Sequence, residues 1–289
     1  MTCVKTVSEC KMNKDIMNKL KYVQVSSADM DLSCFPDFFV VGPHRTGTTW
    51  LYKNLRRHPQ IFMSSPKEIY FFTSIKNSKH PRYVSNKLSW YLKLFSDSPM
   101  RFLAKNALSL FNYREYYKPK VRGEASTTYA VMAKDLIEES LILNSDLKAI
   151  IMLRNPIDRA WSHAKMELVR DRKFEDVPEK EFIDFFQDSY IESCGNYTPI
   201  IENWYSILKA ENIFTGIFDD ISKSPHELLF KIYNFLGVKA ESKYMPQLAQ
   251  KRINETKKTP IPDRYRNLLE DMFKDEVARI NTKYGLNWK

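Results

Sequence analysis

The sequence predicts an α/β fold in which a mostly parallel central sheet lies between layers of helices. Three short apolar runs, 38–41, 148–153 and 213–218, have the length and composition of buried parallel strands. Helix-compatible sequence follows each run, and alternating strands and helices favour a sheet that is covered on both faces. The first strand is joined to its helix by a loop with Gly42 and Gly47, two of only 7 glycines in 289 residues.

The loop between Gly42 and Gly47 has the order of a phosphate-binding site, because strand, glycine-containing loop and helix direct backbone N–H groups toward an anion. In nucleotide triphosphatases a lysine follows the second glycine and binds the β- and γ-phosphates. Here Thr48 occupies that position, and the strong cation is Arg45, whose guanidinium can hold an anionic oxygen in a bidentate manner. The pattern indicates a nucleotide whose transferred group is not a metal-bound γ-phosphate. An ordinary tight turn is the alternative.

Residues 42–51, Gly-Pro-His-Arg-Thr-Gly-Thr-Thr-Trp-Leu, resemble the 5′-phosphosulfate loop of sulfotransferases that use 3′-phosphoadenosine 5′-phosphosulfate (PAPS). The resemblance implies the three-layer fold of the P-loop NTPases. It assigns contacts with the donor to the loop residues His44, Arg45, Thr46, Gly47, Thr48, Thr49 and Trp50. It also implies that Arg45 stabilises charge on the sulfonate, since arginine is a poor acid at pH 7.

A second anion-binding segment follows the predicted strand 148–153. Arg154 stands at the carboxyl end of that strand, where open α/β sheets bind ligands, and Asn155 precedes Pro156 and is therefore biased away from helical geometry. A helix begins next, so that Arg154 and Ser162 can converge on one anion. The segment resembles the 3′-phosphate motif of the same sulfotransferases, which implies that Arg154 and Ser162 bind that phosphate.

Two other residues of this segment have plainer interpretations. Arg159 is expected to form a salt bridge with Asp158 or Glu167 on a solvated helix face. His163 is expected to be a packed or capping residue rather than a base.

The general base is predicted in the segment 64–72, Ser-Ser-Pro-Lys-Glu-Ile-Tyr-Phe-Phe. It resembles the Lys-Glu-x-x-Phe-Phe segment of carbohydrate sulfotransferases, which implies that Glu68 is the base and Lys67 an anion contact. The alternative is an exposed Lys-Glu pair of little energetic consequence. His44, inside the glycine loop, is the rival base.

Three further segments extend the resemblance. Residues 121–129 resemble a strand and turn beside the donor, in which Glu124 would support the active-site cations and the hydroxyls at 126–128 either contact ligands or cap a helix. Tyr197 opens a helix that is similar to a donor-side segment of the family. In the basic segment 251–258, Arg252 and Lys257 are candidates for closing over the 3′-phosphate and adenine, with a solvated charge run as the alternative.

The composition of the chain limits which partners, which state of the cysteines and which location we expect. A net charge of +10 fits a polyanionic cofactor, although it also fits a nucleic-acid surface. The four cysteines show no metal-ligand spacing, so free thiols in a reducing compartment are expected. No signal peptide or membrane span is legible, which predicts a cytoplasmic protein without a membrane partner. The predicted organisation is a polar N-terminal extension at 1–36 and one domain at 37–289, within which 76–118 is a possible acceptor-side lid.

Together these features predict sulfuryl transfer from PAPS to a hydroxyl, or alternatively a nitrogen, of a small-molecule or carbohydrate acceptor. The coproduct would be 3′,5′-adenosine bisphosphate (PAP), and no metal is expected because fixed cations take its place. A P-loop kinase or NTPase is one alternative. A non-catalytic, basic nucleic-acid-binding protein is the other. The oligomeric state is not predicted.

Overall fold

A computed structural model of the chain describes residues 14–26, 31–250 and 259–289. At its centre is a five-stranded sheet in the order β2-β3-β1-β4-β5, in which every neighbouring pair is parallel. The strands are β1 (Phe38–Val40), β2 (Ile61–Met63), β3 (Val121–Ala125), β4 (Lys148–Leu153) and β5 (Ile213–Ile217). The parallel sheet predicted from the sequence is confirmed, and the three predicted strands are β1, β4 and β5.

Helices cover this sheet and connect its strands. They are α1 (Lys14–Lys19), α2 (Thr48–Leu55), α3 (Phe71–Ser74), α4 (Leu88–Lys93), α5 (Pro99–Tyr113), α6 (Lys134–Leu143), α7 (Pro156–Leu168), α8 (Glu179–Phe186), α9 (Ser189–Ser193), α10 (Tyr197–Tyr205), α11 (Asp220–Lys223), α12 (Pro225–Leu236) and α13 (Asp263–Tyr284). Within the described ranges, none of these helices has both the length and the apolar character needed to cross a membrane.

The core lies on both faces of the sheet, as the alternation along β4 shows. Ala149, Ile151 and Leu153 belong to one buried cluster, whereas Ile150 and Met152 belong to another. Successive side chains of a strand point to opposite faces, so both faces of β4 are covered by apolar groups. This explains why the strand reads as a continuous apolar run in the sequence.

The described part of the N-terminal extension packs against the domain. The backbone N–H groups of Lys21, Tyr22 and Val23 donate hydrogen bonds to Glu139 Oε1 in α6 at 2.7, 2.9 and 3.1 Å. Glu139 is buried, and three donors on one oxygen compensate for the cost of burying its charge.

The region predicted as a possible lid, 76–118, contains α4 and α5. Lys105 of α5 places its Nζ 4.3 Å from the ring centroid of Phe62 in β2, and the Lys118 N–H donates to the Pro59 carbonyl at 2.9 Å. Helix α5 and the chain that follows it therefore contact β2, the edge strand of the sheet, and the residues before it. A lid function for the region stays a prediction.

Candidate active site

The glycine loop lies where β1 is flanked by β3 and β4, at their carboxyl ends. Gly47, the N-cap of α2, has a φ of +91°, a conformation that glycine adopts without strain. A Cβ on Gly42 would lie 2.5 Å from Thr46 Oγ1 and 2.8 Å from Met152 Cβ, so the close approach of the loop to β4 requires glycine. The N–H groups of a helix's first turn lack intrahelical partners, and α2 begins at this loop.

Two arginines and a serine from distant segments meet beside this loop. Arg45 Nε donates to Ser162 Oγ at 2.8 Å, and Arg154 Nη1 donates to the Arg45 carbonyl at 3.0 Å. Burial lowers the pKa of the Arg154 guanidinium. Burial also lowers the pKa of Arg45, and the nearby charges of Arg154 and Arg170 lower it further. Both guanidinium groups stay charged at pH 7, so the structure holds like charges close together at a place where an anion would relieve their repulsion.

The position of Arg154 is fixed by its neighbours. The Tyr197 hydroxyl donates to the Arg154 carbonyl at 2.6 Å, and the Arg154 guanidinium lies 4.4 Å from the ring centroid of Phe218. The Asn155 side chain caps α7 by accepting from the Ile157 N–H at 2.9 Å, which confirms that Asn155 is outside the helix. Tyr197 is fully buried, and burial raises its pKa to about 12. Its hydroxyl therefore stays protonated and orients the backbone that carries Arg154.

Glu68 lies just beyond β2, with its carboxylate held on both oxygens. Its Oε2 accepts from the Thr127 N–H at 2.7 Å and from the Thr127 Oγ1 at 3.0 Å, while Lys67 Nζ donates to Oε1. The Glu68 side chain is 19% exposed, so the carboxylate is oriented by the protein and still reachable by a small polar group.

Thr127 also connects Glu68 to His44, whose Nε2 lies 2.8 Å from Thr127 Oγ1. Because a carboxylate can only accept, the Thr127 hydroxyl proton goes to Glu68, and His44 Nε2 must then carry a proton and donate it to Thr127. Burial lowers the pKa of His44 to about 4, so the ring is neutral at pH 7. The hydrogen bond therefore selects the Nε2–H tautomer.

His163 packs directly on His44, with ring centroids 4.8 Å apart and an interplanar angle of 16°. Burial lowers the pKa of His163 to about 2, so it is also neutral. The prediction that His163 is a packed residue is confirmed.

A second carboxyl, that of Glu124 in β3, is fully buried beneath Glu68. Ser126 Oγ donates to Glu124 Oε1 at 2.6 Å, and the Tyr91 hydroxyl donates to Oε2. Burial raises the pKa of Glu124 to about 7, and the charge of Glu68 acts in the same direction. Its polar partners in the described ranges are hydroxyls, so the expectation that Glu124 supports the active-site cations is wrong.

The backbone is unusual at the same place. Arg45, Glu68 and Tyr70 have φ values of +73°, +64° and +59°, in the left-handed region that costs energy for residues other than glycine. Such conformations persist where surrounding structure holds them, and here they direct the side chains of Arg45 and Glu68 into the site.

The other residues that are predicted to contact the donor differ in how deeply they are buried. Thr46 is buried and donates from Oγ1 to the Pro43 carbonyl at 2.8 Å, Thr48 is buried, and Thr49 is partly exposed at the start of α2. Trp50 is buried and donates from Nε1 to the Ala249 carbonyl at 3.0 Å, which ties α2 to the chain just before the basic segment. Arg252 and Lys257 lie outside the described residues.

The sequence reading of Arg159 is wrong. This residue is fully buried, and its Nη2 donates to the Ile191 carbonyl at 2.8 Å instead of pairing with an acid on a solvated face. Among the described residues, no group of three or more His, Cys, Asp or Glu side chains is arranged to hold a metal ion.

Thr127 and Tyr91 are the site residues that the sequence did not single out. The only signal for Thr127 was the run of hydroxyls at 126–128, and Ser126 contacts Glu124 instead of capping the helical turn that follows. Tyr91 lies 33 positions from Glu124, and no local pattern connects the two residues.

The fold and this site define a sulfotransferase with a P-loop NTPase-like, three-layer architecture. Residues 35–289 match the family model of the sulfotransferase domain, and the chain belongs to that family. The crystal structure of a sulfotransferase from Alicyclobacillus acidocaldarius has the same fold, with a TM-score of 0.60 and 23% identity over 87% of this chain and 96% of that chain. The sulfotransferase domain from the curacin biosynthetic pathway is similar, with a TM-score of 0.53 and 19% identity over 88% of this chain and 99% of the domain.

Curated relatives are larger proteins. Bifunctional heparan sulfate N-deacetylase/N-sulfotransferase 1 of Mus musculus is 27% identical over 259 residues, 83% of this chain and 25% of the relative. Carbohydrate sulfotransferase 15 of Homo sapiens is 21% identical over 255 residues, 72% of this chain and 44% of the relative. Membrane-associated sulfotransferase kil1 of Dictyostelium discoideum is 30% identical over 131 residues, 45% of this chain and 23% of the relative. The chain thus spans less than half the length of each of these proteins.

Proposed function

We propose that this chain transfers a sulfuryl group from PAPS to a hydroxyl of a carbohydrate or other small-molecule acceptor. The observation that carries the proposal is the convergence of Arg45 with Arg154 and Ser162, which lie 109 and 117 positions further along the sequence. Two cations and a hydroxyl beside a helix N-terminus fit a ligand that carries more than one anionic group.

Specific residues would hold the donor at its two ends. Arg45 and the N–H groups at the start of α2 would bind the 5′ end, and Arg154 with Ser162 would bind the 3′-phosphate. The space that glycine leaves at position 42 supports this assignment, since a side chain there would displace Thr46 and fill the loop. When bound, PAPS supplies an activated sulfuryl group and leaves as PAP.

On the acceptor side, Glu68 is proposed to remove the hydroxyl proton. Its Oε2 is oriented by Thr127, and its side chain is partly exposed. His44 is a weaker candidate because its Nε2 already carries a proton and donates it to Thr127. The fixed positive charges of Arg45 and Lys67 would stabilise charge that develops during the transfer, which is the main contribution a protein makes to such in-line reactions.

The acceptor class is supported by two resemblances. The segment Lys67-Glu68-Ile69-Tyr70-Phe71-Phe72 fits the carbohydrate sulfotransferase pattern, and relatives are named for heparan sulfate and carbohydrate sulfation. The name of the heparan sulfate relative includes N-sulfotransfer, so an acceptor nitrogen is the second candidate.

Calorimetric titration tests the donor assignment. The full chain is titrated with PAP, with adenosine 5′-monophosphate (AMP), which lacks the 3′-phosphate, and with ATP and Mg²⁺. PAP should bind at least about tenfold more tightly than AMP, because the Arg154 guanidinium and the Ser162 hydroxyl would contact the additional phosphate. A preference for ATP and Mg²⁺ over PAP would instead support a kinase or NTPase.

Transfer from labelled PAPS to a matched panel tests the acceptor. Each sugar is supplied with a hydroxyl and with an amine at the same carbon. Label should appear on the hydroxyl compounds, and label on the amines alone would assign nitrogen as the acceptor atom. Slow release of inorganic sulfate in the presence of every compound, without transfer, would contradict the acceptor class.

A further inference from the structure

Helix α5 exposes an apolar surface that the proposed reaction does not use. Of the ten large hydrophobic side chains that are exposed in the described residues, seven lie between positions 100 and 116. Five of them are mostly exposed, and the four that lie within α5 are Met100 at 81%, Leu103 at 65%, Leu108 at 61% and Phe111 at 79%. Single exposed hydrophobic residues are normal, but a contiguous group usually marks an interaction surface.

These side chains form one continuous stripe along the helix. Positions 100, 103, 104, 107, 108 and 111 are all apolar and recur at intervals of three and four, which places them on one helical face. That face points away from the protein, since all six residues are exposed.

The opposite face of α5 attaches to the domain by polar contacts. Lys105 Nζ donates to Asp97 Oδ2 at 2.8 Å and to the Tyr117 hydroxyl at 3.0 Å. Asn106 Oδ1 accepts from the Tyr117 N–H at 2.8 Å, and Ser109 Oγ donates to a carbonyl at 2.6 Å. A surface helix normally buries its apolar stripe and exposes its polar face, so α5 has the reverse orientation.

The stripe is bordered by positive charge. Helix α5 contains Arg101 and Lys105 and no acidic residue. Arg101 and Arg56 both lie close enough to lower the pKa of Lys105, although burial is the larger cause. Arg57 acts on Tyr113 at the other end of the helix. Arg56, Arg57 and Arg101 are exposed, and Arg101 precedes Ala104 and Leu108 of the stripe by one and two helical turns, so it lies directly beside the apolar face.

We propose that this surface docks on a lipid bilayer that contains anionic headgroups. The stripe would enter the boundary between headgroups and acyl chains while the arginines contact the headgroups, as interfacial helices with a basic border do. A second copy of the chain fits less well, because a symmetric dimer through α5 would bring the arginines of both copies together. Peripheral docking needs only one apolar helix face, so it is compatible with the finding that no described helix can cross a membrane.

The docking surface is separate from the proposed donor site. Helix α5 lies against β2, at the edge of the sheet, whereas Arg45 and Arg154 follow the central strands β1 and β4. Over 15 residues the helix is about 22 Å long, which is enough to lie along a bilayer surface but not to span it.

Vesicle flotation tests the proposal. The full chain is mixed with vesicles of phosphatidylcholine alone or of phosphatidylcholine with phosphatidylserine, and the fraction that floats with lipid is measured at low and high salt. The chain should float with the anionic vesicles, at least roughly tenfold more than with the neutral ones, and salt should weaken the binding. Failure to float with anionic vesicles at low salt would overturn the proposal.

Two variants and a matched control identify the surface. The double change Leu103→Glu with Phe111→Glu should lower vesicle binding at least roughly tenfold, because it removes apolar area and adds charge of the same sign as the lipid. Arg57→Glu with Arg101→Glu should remove the preference for anionic vesicles. Phe230→Glu changes an aromatic residue on α12 that is 45% exposed and should bind as the wild type does.

All the changed residues are exposed, so each variant is expected to fold. Thermal melting checks this expectation. Unchanged binding by the Leu103→Glu, Phe111→Glu variant would overturn the proposal. So would a concentration-dependent dimer, measured by sedimentation without lipid, that the same variant abolishes, since that result would assign the face to a second copy of the chain.

Discussion

The two halves of the sheet differ at their carboxyl ends, where one half is followed by arginines and the other carries glutamates. Beyond β1 and β4 lie Arg45 and Arg154, which are cations held close together. Beyond β2 and within β3 lie Glu68 and Glu124, which are acids that accept hydrogen bonds from hydroxyl and N–H groups. The half with the two arginines can therefore bind an anion, and the half with the two glutamates can accept a proton.

Thr127 connects the two halves. Its hydroxyl lies between Glu68, which follows β2, and His44, which follows β1. A group transferred across this boundary would leave the cationic half for an acceptor beside the acidic half. Changes on the two sides should therefore have separable effects, turnover on the acidic side and donor affinity on the cationic side.

The largest expected effect comes from the acidic side. Glu68→Gln keeps the shape of the side chain but removes its ability to take a proton, and we expect the rate constant kcat to fall roughly 10²- to 10⁴-fold. PAP affinity should change by less than about twofold, since Glu68 lies outside the cationic half. Steady-state assays with labelled PAPS and calorimetry with PAP measure the two quantities.

Glu138→Gln, on the exposed face of α6, is the matched control and should keep wild-type turnover. Wild-type turnover by Glu68→Gln would remove Glu68 as the base. An equal loss of turnover and PAP affinity would mean that the cationic and the acidic side of the site do not act separately.

The second prediction on the acidic side concerns Glu124 and the pH dependence of the free energy of unfolding. Burial raises its pKa from 4.5 to about 7, so between these values the unfolded chain gives up a proton that the folded chain keeps. The contribution is fully present below pH 4.5 and is lost as the pH rises through about 7. The free energy of unfolding of the wild type should therefore fall, relative to that of Glu124→Gln, by on the order of 3 kcal/mol over this window.

Urea denaturation of both proteins at a series of pH values measures this difference. Glu202→Gln, which changes an exposed acid in α10, should parallel the wild type. If the curves of the wild type and Glu124→Gln are also parallel, Glu124 does not titrate in this window.

The cationic side is tested by Arg154→Ala. A charged hydrogen-bond partner is worth about 1.5–3 kcal/mol, so PAP affinity should fall roughly 10- to 150-fold. AMP affinity should fall much less, because AMP lacks the 3′-phosphate. Arg172→Ala removes an exposed arginine that pairs with Glu181 and serves as the control. Equal losses for PAP and AMP would contradict the assignment of Arg154 to the 3′-phosphate.

The cationic half was largely predictable from sequence, and the acidic half was not. Arg154 follows an unbroken apolar strand and precedes Asn155-Pro156, so local pattern alone determines where it lies. Glu68 was predicted by resemblance, but the contacts of Thr127 with Glu68 and with His44 join residues 59 and 83 positions apart, which only the parallel strand order brings together.

Arg159 shows the limit of local pattern most clearly. A charged residue between Asp158 and Glu167 is expected on a solvated helix face, since charges are rarely buried. The carbonyl of Ile191, 32 positions away, instead accepts a hydrogen bond from the buried guanidinium. The contact between α9 and α7 determines that Arg159 is buried, and the spacing of residues within the segment does not predict this contact.

The smallest expected effect comes from the residue that joins the two halves. Thr127→Val removes the hydroxyl, and with it the bond from His44, but keeps the N–H that donates to Glu68, so one of the two Thr127 hydrogen bonds to Glu68 remains. The lost bond is worth about 0.5–1.5 kcal/mol, and kcat should fall roughly 3- to 10-fold without a change in PAP affinity. Thr127→Ser restores the hydroxyl and should recover most of the rate. If serine is as slow as valine, the methyl group matters and the hydroxyl does not orient the base; if PAP affinity falls instead, Thr127 belongs to the cationic half.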